Sequence, residues 1–481
     1  MSISNDRGDF NNDINSRIKA GHFQINPDQI PGVLVHAPSL RLTENLVYQT
    51  LPNARPSQDE SLTVEIFTQS FIVALLVSTA ASVWLYRRHL SYVRAHADEV
   101  PQQFAGRIGL PAHQRAAAYT VDKANVGITD AIISALLLLG WTLGGGINFL
   151  DIFWTEFGWS EPWRGAALIV SVMVIGSILA LPLDIYGTFF IEAKHGFNRT
   201  TTKTYISDWF KKTVLTIVLG FIISALLIWV MFSLGKYWWL GAWLVWMGIN
   251  LLAVWAFPVL IAPLFNKFSP LDDATLESRI NDLLARNGFT TSGIFVADGS
   301  RRSGHGNAYF TGLGASKRIV FYDTLLDSLN EDEVEAVLAH EVGHFKHKHI
   351  PKQLGMSAVI VLLALALLGV LAEQSWFYSG LGVETPGTAV ALLLFLLVSP
   401  VYFFFLAPIM SALSRKHEYE ADALAATSSD GRFLVDALVK LYRENASTLT
   451  PDPLYSAFHD SHPPAPLRIA RLERASPSAN A

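Results

Sequence analysis

Seven apolar runs recur along this 481-residue chain, at residues 64–86, 129–150, 164–190, 213–234, 237–265, 354–371 and 388–413. Each is close to or longer than the roughly 20 residues that a helix needs to cross a hydrocarbon core of ~30 Å. One such run can be the buried helix of a soluble protein, but seven in one chain predict a polytopic membrane protein that is mainly α-helical. Composition agrees, because only 16% of the residues are charged against roughly 25% in an ordinary soluble domain. A disordered chain is excluded, and a net charge of −5 leaves no basic footprint for nucleic acid. With 0 cysteines there is no disulfide framework, thiol nucleophile or thiolate metal site. A metal in this chain must sit on His, Asp or Glu.

The runs divide the chain into a polar N-terminal extension (1–60), spans one to five (61–265), a hydrophilic segment (266–353), spans six and seven (354–413) and a tail (414–481). Orientation follows from where Lys and Arg collect. Arg87, Arg88, Arg94, Arg107, Arg115 and Lys123 follow span one, and Lys194, Arg199, Lys203, Lys211 and Lys212 follow span three. The links 151–163, 235–236 and 372–387 carry Lys236 and five acids, Asp151, Glu156, Glu161, Glu373 and Glu384. The basic segments, the 266–353 segment and the tail are therefore expected in the cytoplasm, and the N-terminus outside. The membrane is a bacterial inner membrane or the endoplasmic reticulum, depending on the host. Asp184, Glu192, Asn148 and Asn250 are polar residues in or beside spans, expected to line a hydrated interior. Glu192 is equally open to a helix-end, snorkelling reading.

The hydrophilic segment contains Glu331-Asp-Glu-Val-Glu-Ala-Val-Leu-Ala-His-Glu-Val-Gly-His344. Acids at the start and apolar residues at helical spacing predict one helix. His340 and His344, four apart, project from one face and can place two imidazoles on one zinc. Glu341, beside the first ligand, can take a proton from water at the metal without occupying the metal itself. A third ligand is sought past span seven, in Ser414-Arg-Lys-His-Glu-Tyr-Glu-Ala-Asp422. Glu418 completes a His/His/Glu set, and Asp422, one turn on, can accept the free N–H of a ligand histidine. Alternatively Glu418 is an ordinary helix carboxylate paired with Arg415. Glu420 is expected to be a solvated acid, and His347 and His349 to form a hydrated basic patch. His305 has no evident role.

Taken together these motifs resemble the type I CAAX prenyl endopeptidases, integral-membrane zinc metalloproteases. The resemblance runs from about residue 60 to 475. It rests on Ile191-Glu-Ala-Lys-His-Gly-Phe-Asn-Arg199, Ala262-Pro-Leu-Phe-Asn-Lys-Phe268, Asp298-Gly-Ser-Arg-Arg-Ser303, Gly306-Asn-Ala-Tyr-Phe310, Arg318-Ile-Val-Phe-Tyr-Asp-Thr-Leu-Leu326, HEVGH, Glu418-Tyr-Glu-Ala-Asp422 and Ser461-His-Pro-Pro464. It implies seven helices around a hydrated chamber, capped by a cytoplasmic zincin-like domain with a small β element. It also implies one zinc per chain on His340, His344 and Glu418, with Glu341 as general base. His462 and Arg468 are implied near the substrate carbonyl and its oxyanion, although His-Pro-Pro also reads as a rigid turn. Asn307, Ala308, Tyr309 and Phe310 form a strand that can pair with an extended peptide or serve as a plain hairpin strand.

The function implied is hydrolysis of a prenylated CAAX-type or other membrane-associated polypeptide. Two alternatives stand beside it. One is membrane-protein quality control with no prenyl requirement, and the other is a transporter or receptor with a structural zinc site, which would need four protein ligands.

Overall fold

The computed structural model describes residues 58–311 and 318–475. Most of the polar N-terminal extension, and with it the expected external N-terminus, lies outside the described residues. The described residues are mainly helical, and among them seven helices are long and apolar enough to span a membrane: α1 (Gln58–Ala95), α2 (Leu110–Trp141), α4 (Trp163–Glu192), α5 (Thr202–Ser233), α6 (Gly235–Phe265), α9 (His349–Leu371) and α10 (Thr388–Ser428). A shorter helix, α3 (Gly146–Glu156), follows α2 after a glycine break in which Gly145 takes φ 77°.

Several helices outrun their apolar cores. α2 begins at Leu110 rather than near 129, because residues 110–128 interleave polar and small side chains that keep helical spacing without being lipophilic. α9 begins at His349. α10 does not stop where its apolar run stops: it passes through a 3-10 turn at Phe404–Leu406 and continues to Ser428. At ~1.5 Å per residue it reaches about 60 Å, roughly twice the hydrocarbon thickness.

Successive spans touch in a closed circuit, α1 to α2, α4, α5, α6, α9, α10 and back to α1, while α10 also touches α4 and α5. One packed core joins these helices, with Phe71, Ile147, Leu168, Ile228, Leu368, Tyr378, Leu381 and Leu394 at its centre. By contrast, the most apolar stretch of α6 buries none of its residues although α6 touches two neighbours. Large exposed residues such as Leu136, Leu244, Leu363 and Val370 give the spans an apolar outer surface, which in water would be prohibitive and in lipid is satisfied.

Asn148 differs from expectation. Its amide donates to the Gly382 carbonyl (2.8 Å) and accepts from the Glu384 amide (3.1 Å), so it fastens α3 to the link between α9 and α10 rather than facing an interior. Asn250 bonds to its own helix at the Trp246 carbonyl. Asp184 accepts from the Tyr205 hydroxyl, across from α4 to α5.

After α6 the chain forms a small sheet of four strands, β1 (Phe268–Pro270), β2 (Ile294–Ala297), β3 (Ala308–Thr311) and β4 (Arg318–Tyr322), in the order β1-β2-β4-β3. β2 and β4 run parallel, β3 runs antiparallel to β4, and β3 is an edge. α7 (Ala274–Arg286), α8 (Glu331–Lys346), α11 (Gly431–Glu444), α12 (Pro453–His459) and α13 (Ala465–Ala475) complete this part. Its core includes Phe104, Ile280, Leu283, Ile319, Phe321, Leu338, Ala425, Leu438 and Ile469, so the lower end of α10 is an integral part of it.

Candidate metal centre

α8 owes its start to Asn330. The Asn330 side chain accepts from the Glu333 amide while the Glu333 carboxylate accepts from the Asn330 amide, a reciprocal cap that stabilises by ~1 kcal/mol. Lys440 of α11 reaches the same Glu333 carboxylate at 2.7 Å and fixes the helix against its neighbour. Three turns on, α8 crosses the lower part of α10. Gly343 makes the crossing possible, because a Cβ on it would lie 2.7 Å from the Ala421 Cα and 3.0 Å from its carbonyl oxygen.

That close approach brings His340, His344 and Glu418 together, with one donor atom from each within 4.8 Å of the others. The two Nε2 atoms are 3.2 Å apart, and Glu418 oxygens lie 3.5 Å from His340 Nε2 and 3.3 Å from His344 Nε2. His340 and Glu418 are buried and His344 is partly so. Two ring nitrogens facing each other at that distance cannot both carry a proton, and both face one carboxylate. Two imidazoles and one carboxylate converging in this way form a His-His-Glu donor set of the kind that holds zinc. Among the described residues no other group of three such side chains converges, and there is no fourth protein ligand of the kind a structural zinc site would need.

Asp422 accepts from His340 Nδ1 at 2.9 Å, which directs the Nε2 lone pair to the centre. Burial alone would lower the His340 pKa, but hydrogen bonds to Asp422 and Glu418 outweigh it and push the imidazole up to about 9. Arg468, for which the resemblance implied a place near the substrate carbonyl, lies behind Asp422. Its Nε and Nη2 grip both carboxylate oxygens at 2.9 and 2.6 Å, and it is 6% exposed. Its Nη1 is 3.8 Å from Glu418.

His462 places Nδ1 2.6 Å from Glu418 Oε2, with its side chain 62% exposed. The loop carrying it is held by Arg415, whose Nη1 donates to the carbonyls of Ser456, Ala457 and Asp460. Arg415 is thus spent on that loop, and the alternative pairing of Arg415 with Glu418 does not occur. Glu341 follows His340 on α8, is half-buried, and has no hydrogen-bond partner among the described residues. Phe310 of β3 packs on Phe345, next to His344, at 5.0 Å between ring centroids, so the sheet edge lies beside the metal helix. Asn307, just before β3, is exposed, and its side chain accepts from the Ala308 amide.

Two expectations are overturned. His349 is not part of a hydrated patch: it is 2% exposed, with Nδ1 2.9 Å from His344 Nδ1 and Nε2 2.9 Å from Glu420 Oε2. Glu420 is accordingly paired rather than merely solvated. Residue spacing hid this contact, because a single left-handed residue, Lys348 (φ 55°), turns the chain between α8 and α9 and folds His349 back. His305 also gains partners. Its Nε2 lies 3.3 Å from the Tyr119 hydroxyl and 3.4 Å from Glu192, its Nδ1 lies 3.4 Å from Asn445, and its ring stacks on Phe197. Glu192 accepts from Tyr119 at 2.6 Å, so it is part of this polar cluster and not a snorkelling end.

An HExxH helix that meets a distant carboxylate, within a chain of seven apolar helices, defines an integral-membrane metallopeptidase. Known proteins bear this out. The family described as CAAX prenyl protease N-terminal, five membrane helices, matches residues 89–267, and peptidase family M48 matches residues 270–476. The chain belongs to the CAAX prenyl protease 1 family of M48 zinc metalloproteases. It is 32% identical to a CAAX prenyl protease 1 homolog of Arabidopsis thaliana over 85% of this chain and 97% of that protein. CAAX prenyl protease 1 of Saccharomyces cerevisiae is 37% identical over 62% of this chain and 70% of its own. The crystal structure of S. mikatae Ste24p superposes with a TM-score of 0.77 at 30% identity, covering 87% of this chain and all of that one.

Proposed function

We propose that this chain is a zinc endopeptidase that cuts prenylated CAAX-type polypeptides at the cytoplasmic face of its membrane. The observation that carries the reading is the convergence of His340, His344 and Glu418, supported by the names of the relatives. In this reading residues 61–265 and 354–413 form the membrane part, 266–353 and 414–481 the catalytic part, and the N-terminus lies outside.

His340, His344 and Glu418 would hold zinc, which would supply a Lewis acid able to acidify water and polarise the scissile carbonyl. Glu341, with a free carboxylate beside the first ligand, removes the proton from the attacking water and returns it to the leaving amine. Asp422 fixes the tautomer of His340, and Arg468 acts as a positioning residue by holding Asp422 through two hydrogen bonds. His462, on a loop pinned by Arg415, is the exposed side chain able to donate to the developing oxyanion. The free edge of β3 pairs with the backbone of an extended substrate along Asn307, Ala308, Tyr309 and Phe310, which fixes the scissile carbonyl while tolerating varied side chains.

The test uses one peptide in prenylated and unprenylated form, with purified wild-type protein and Glu341→Gln. Cleavage by Glu341→Gln is expected to fall about 10²–10⁴-fold with zinc content unchanged, and the prenylated peptide is expected to be preferred. Undiminished cleavage by Glu341→Gln would refute the mechanism. Equal cleavage of both peptides would replace prenyl selectivity with general membrane-protein quality control.

A further inference from the structure

His340 and His344 need the same thing from their surroundings, and the structure supplies it by different means. To offer its Nε2 lone pair to a metal, each neutral imidazole must carry its proton on Nδ1. For His340 the acceptor is Asp422, directly. For His344 no carboxylate reaches Nδ1, and the atom found there at 2.9 Å is another ring nitrogen, Nδ1 of His349.

Hydrogen-bond bookkeeping then fixes the protons along this path. If His344 Nδ1 carries hydrogen, His349 Nδ1 must accept it. His349 must then be protonated on Nε2, and that nitrogen faces Glu420 Oε2 at 2.9 Å. Glu420 is an acceptor when ionised, so each of the two hydrogen bonds has one donor and one acceptor. The opposite order would place the His344 proton on Nε2, pointing at the metal position. The His349 ring is 2% exposed and stacks on His417 at 4.1 Å with a 14° interplanar angle, so its plane is set by packing. Its backbone position depends on the left-handed Lys348.

We propose that Glu420 and His349 form a two-step relay that holds His344 in its metal-binding tautomer, so that both are positioning residues for the second zinc ligand. His349 is the first residue of α9, and Glu420 lies on the extension of α10. The ligand is thereby tied to the ends of two membrane-spanning helices, and a shift of either would be felt at His344. The inference rests on the reading that His340, His344 and Glu418 hold zinc.

The test measures zinc affinity of the full-length, detergent-purified protein by chelator competition, and the absorption spectrum of its cobalt-substituted form. His349→Phe keeps a buried ring but removes both nitrogens. It is expected to weaken zinc binding about 10–100-fold and to alter the cobalt spectrum. His349→Gln, which can accept from His344 and donate to Glu420, should recover most of that loss. Glu420→Gln keeps the side-chain shape and removes the charge, and it should weaken zinc by about tenfold. Thermal unfolding of the metal-free forms is the control for packing.

Wild-type zinc affinity and an unaltered cobalt spectrum in both His349→Phe and Glu420→Gln would overturn the relay. A loss matched by an equal fall in metal-free stability, with no recovery in His349→Gln, would also overturn it by assigning His349 to packing alone. If the wild-type protein itself bound no zinc, the failure would lie with the zinc reading and not with the relay.

Discussion

His340 sits between two carboxylates, and without a cation in their midst a proton is the charge that best satisfies them. This is why its pKa rises to about 9 even though burial acts in the other direction. A raised folded-state pKa means that the metal-free protein gains stability from protonated His340 below the ordinary value of ~6.5, and loses it as pH climbs through about 9. Zinc and the proton compete for the same nitrogen. Apparent zinc affinity is therefore expected to increase about tenfold per pH unit up to about 9 and then level off, with close to one proton released per zinc bound near neutrality. Chelator competition at several pH values, together with proton release in weak buffer, checks this. A flat profile below pH 8 would show that His340 is already deprotonated before zinc arrives.

At the scale of elements, the metal centre is made where α8 crosses the extension of the seventh span, and Gly343 sets how closely they approach. A methyl group there meets Ala421 backbone and not a flexible side chain, so it cannot be absorbed by a rotamer change. Gly343→Ala is expected to cost ~1–3 kcal/mol through overpacking and, by moving Glu418 away from the two imidazoles, to weaken zinc by at least about tenfold, roughly 1.4 kcal/mol. Thermal unfolding and zinc titration of the variant test this, and wild-type affinity would show that the crossing has slack. The helix pair also shows what was legible beforehand. His340, His344, Glu418 and Asp422 follow from one helical period and the needs of a zinc donor set, so the sequence pointed to them although 78 residues separate the first from Glu418. The Glu420–His349 pair escaped because it depends on one backbone angle at Lys348. Apolar runs located the spans, but the amphipathic half of α2 and the long extension of α10 are helical for reasons that hydropathy does not register.

For the whole molecule, the remaining issue is which side of the membrane the centre faces, and hydrogen bonds link it to one short segment. Phe197 to Thr200, between α4 and α5, lies along Arg302 to Gly304, which lead into β3. Arg199 donates to the Arg302 carbonyl (3.2 Å), Gly304 donates to the Phe197 carbonyl (3.0 Å), and Asn198 bridges to Ser303. Whatever side holds Lys203, three residues beyond that segment, must also hold the sheet, α8 and the donor set. Thr385, in the link between α9 and α10, lies one span away and belongs to the other side. The cationic residues around Lys203 and the acids around Thr385 predict Lys203 in the cytoplasm and Thr385 outside. Because the chain has 0 cysteines, Lys203→Cys and Thr385→Cys each introduce the sole thiol, both at exposed positions. In sealed vesicles with the cytoplasmic face outward, a membrane-impermeant maleimide should label Lys203→Cys and leave Thr385→Cys unmodified until the membrane is permeabilised. The reverse pattern would turn the catalytic side outward and remove cytoplasmic prenylated chains from its reach.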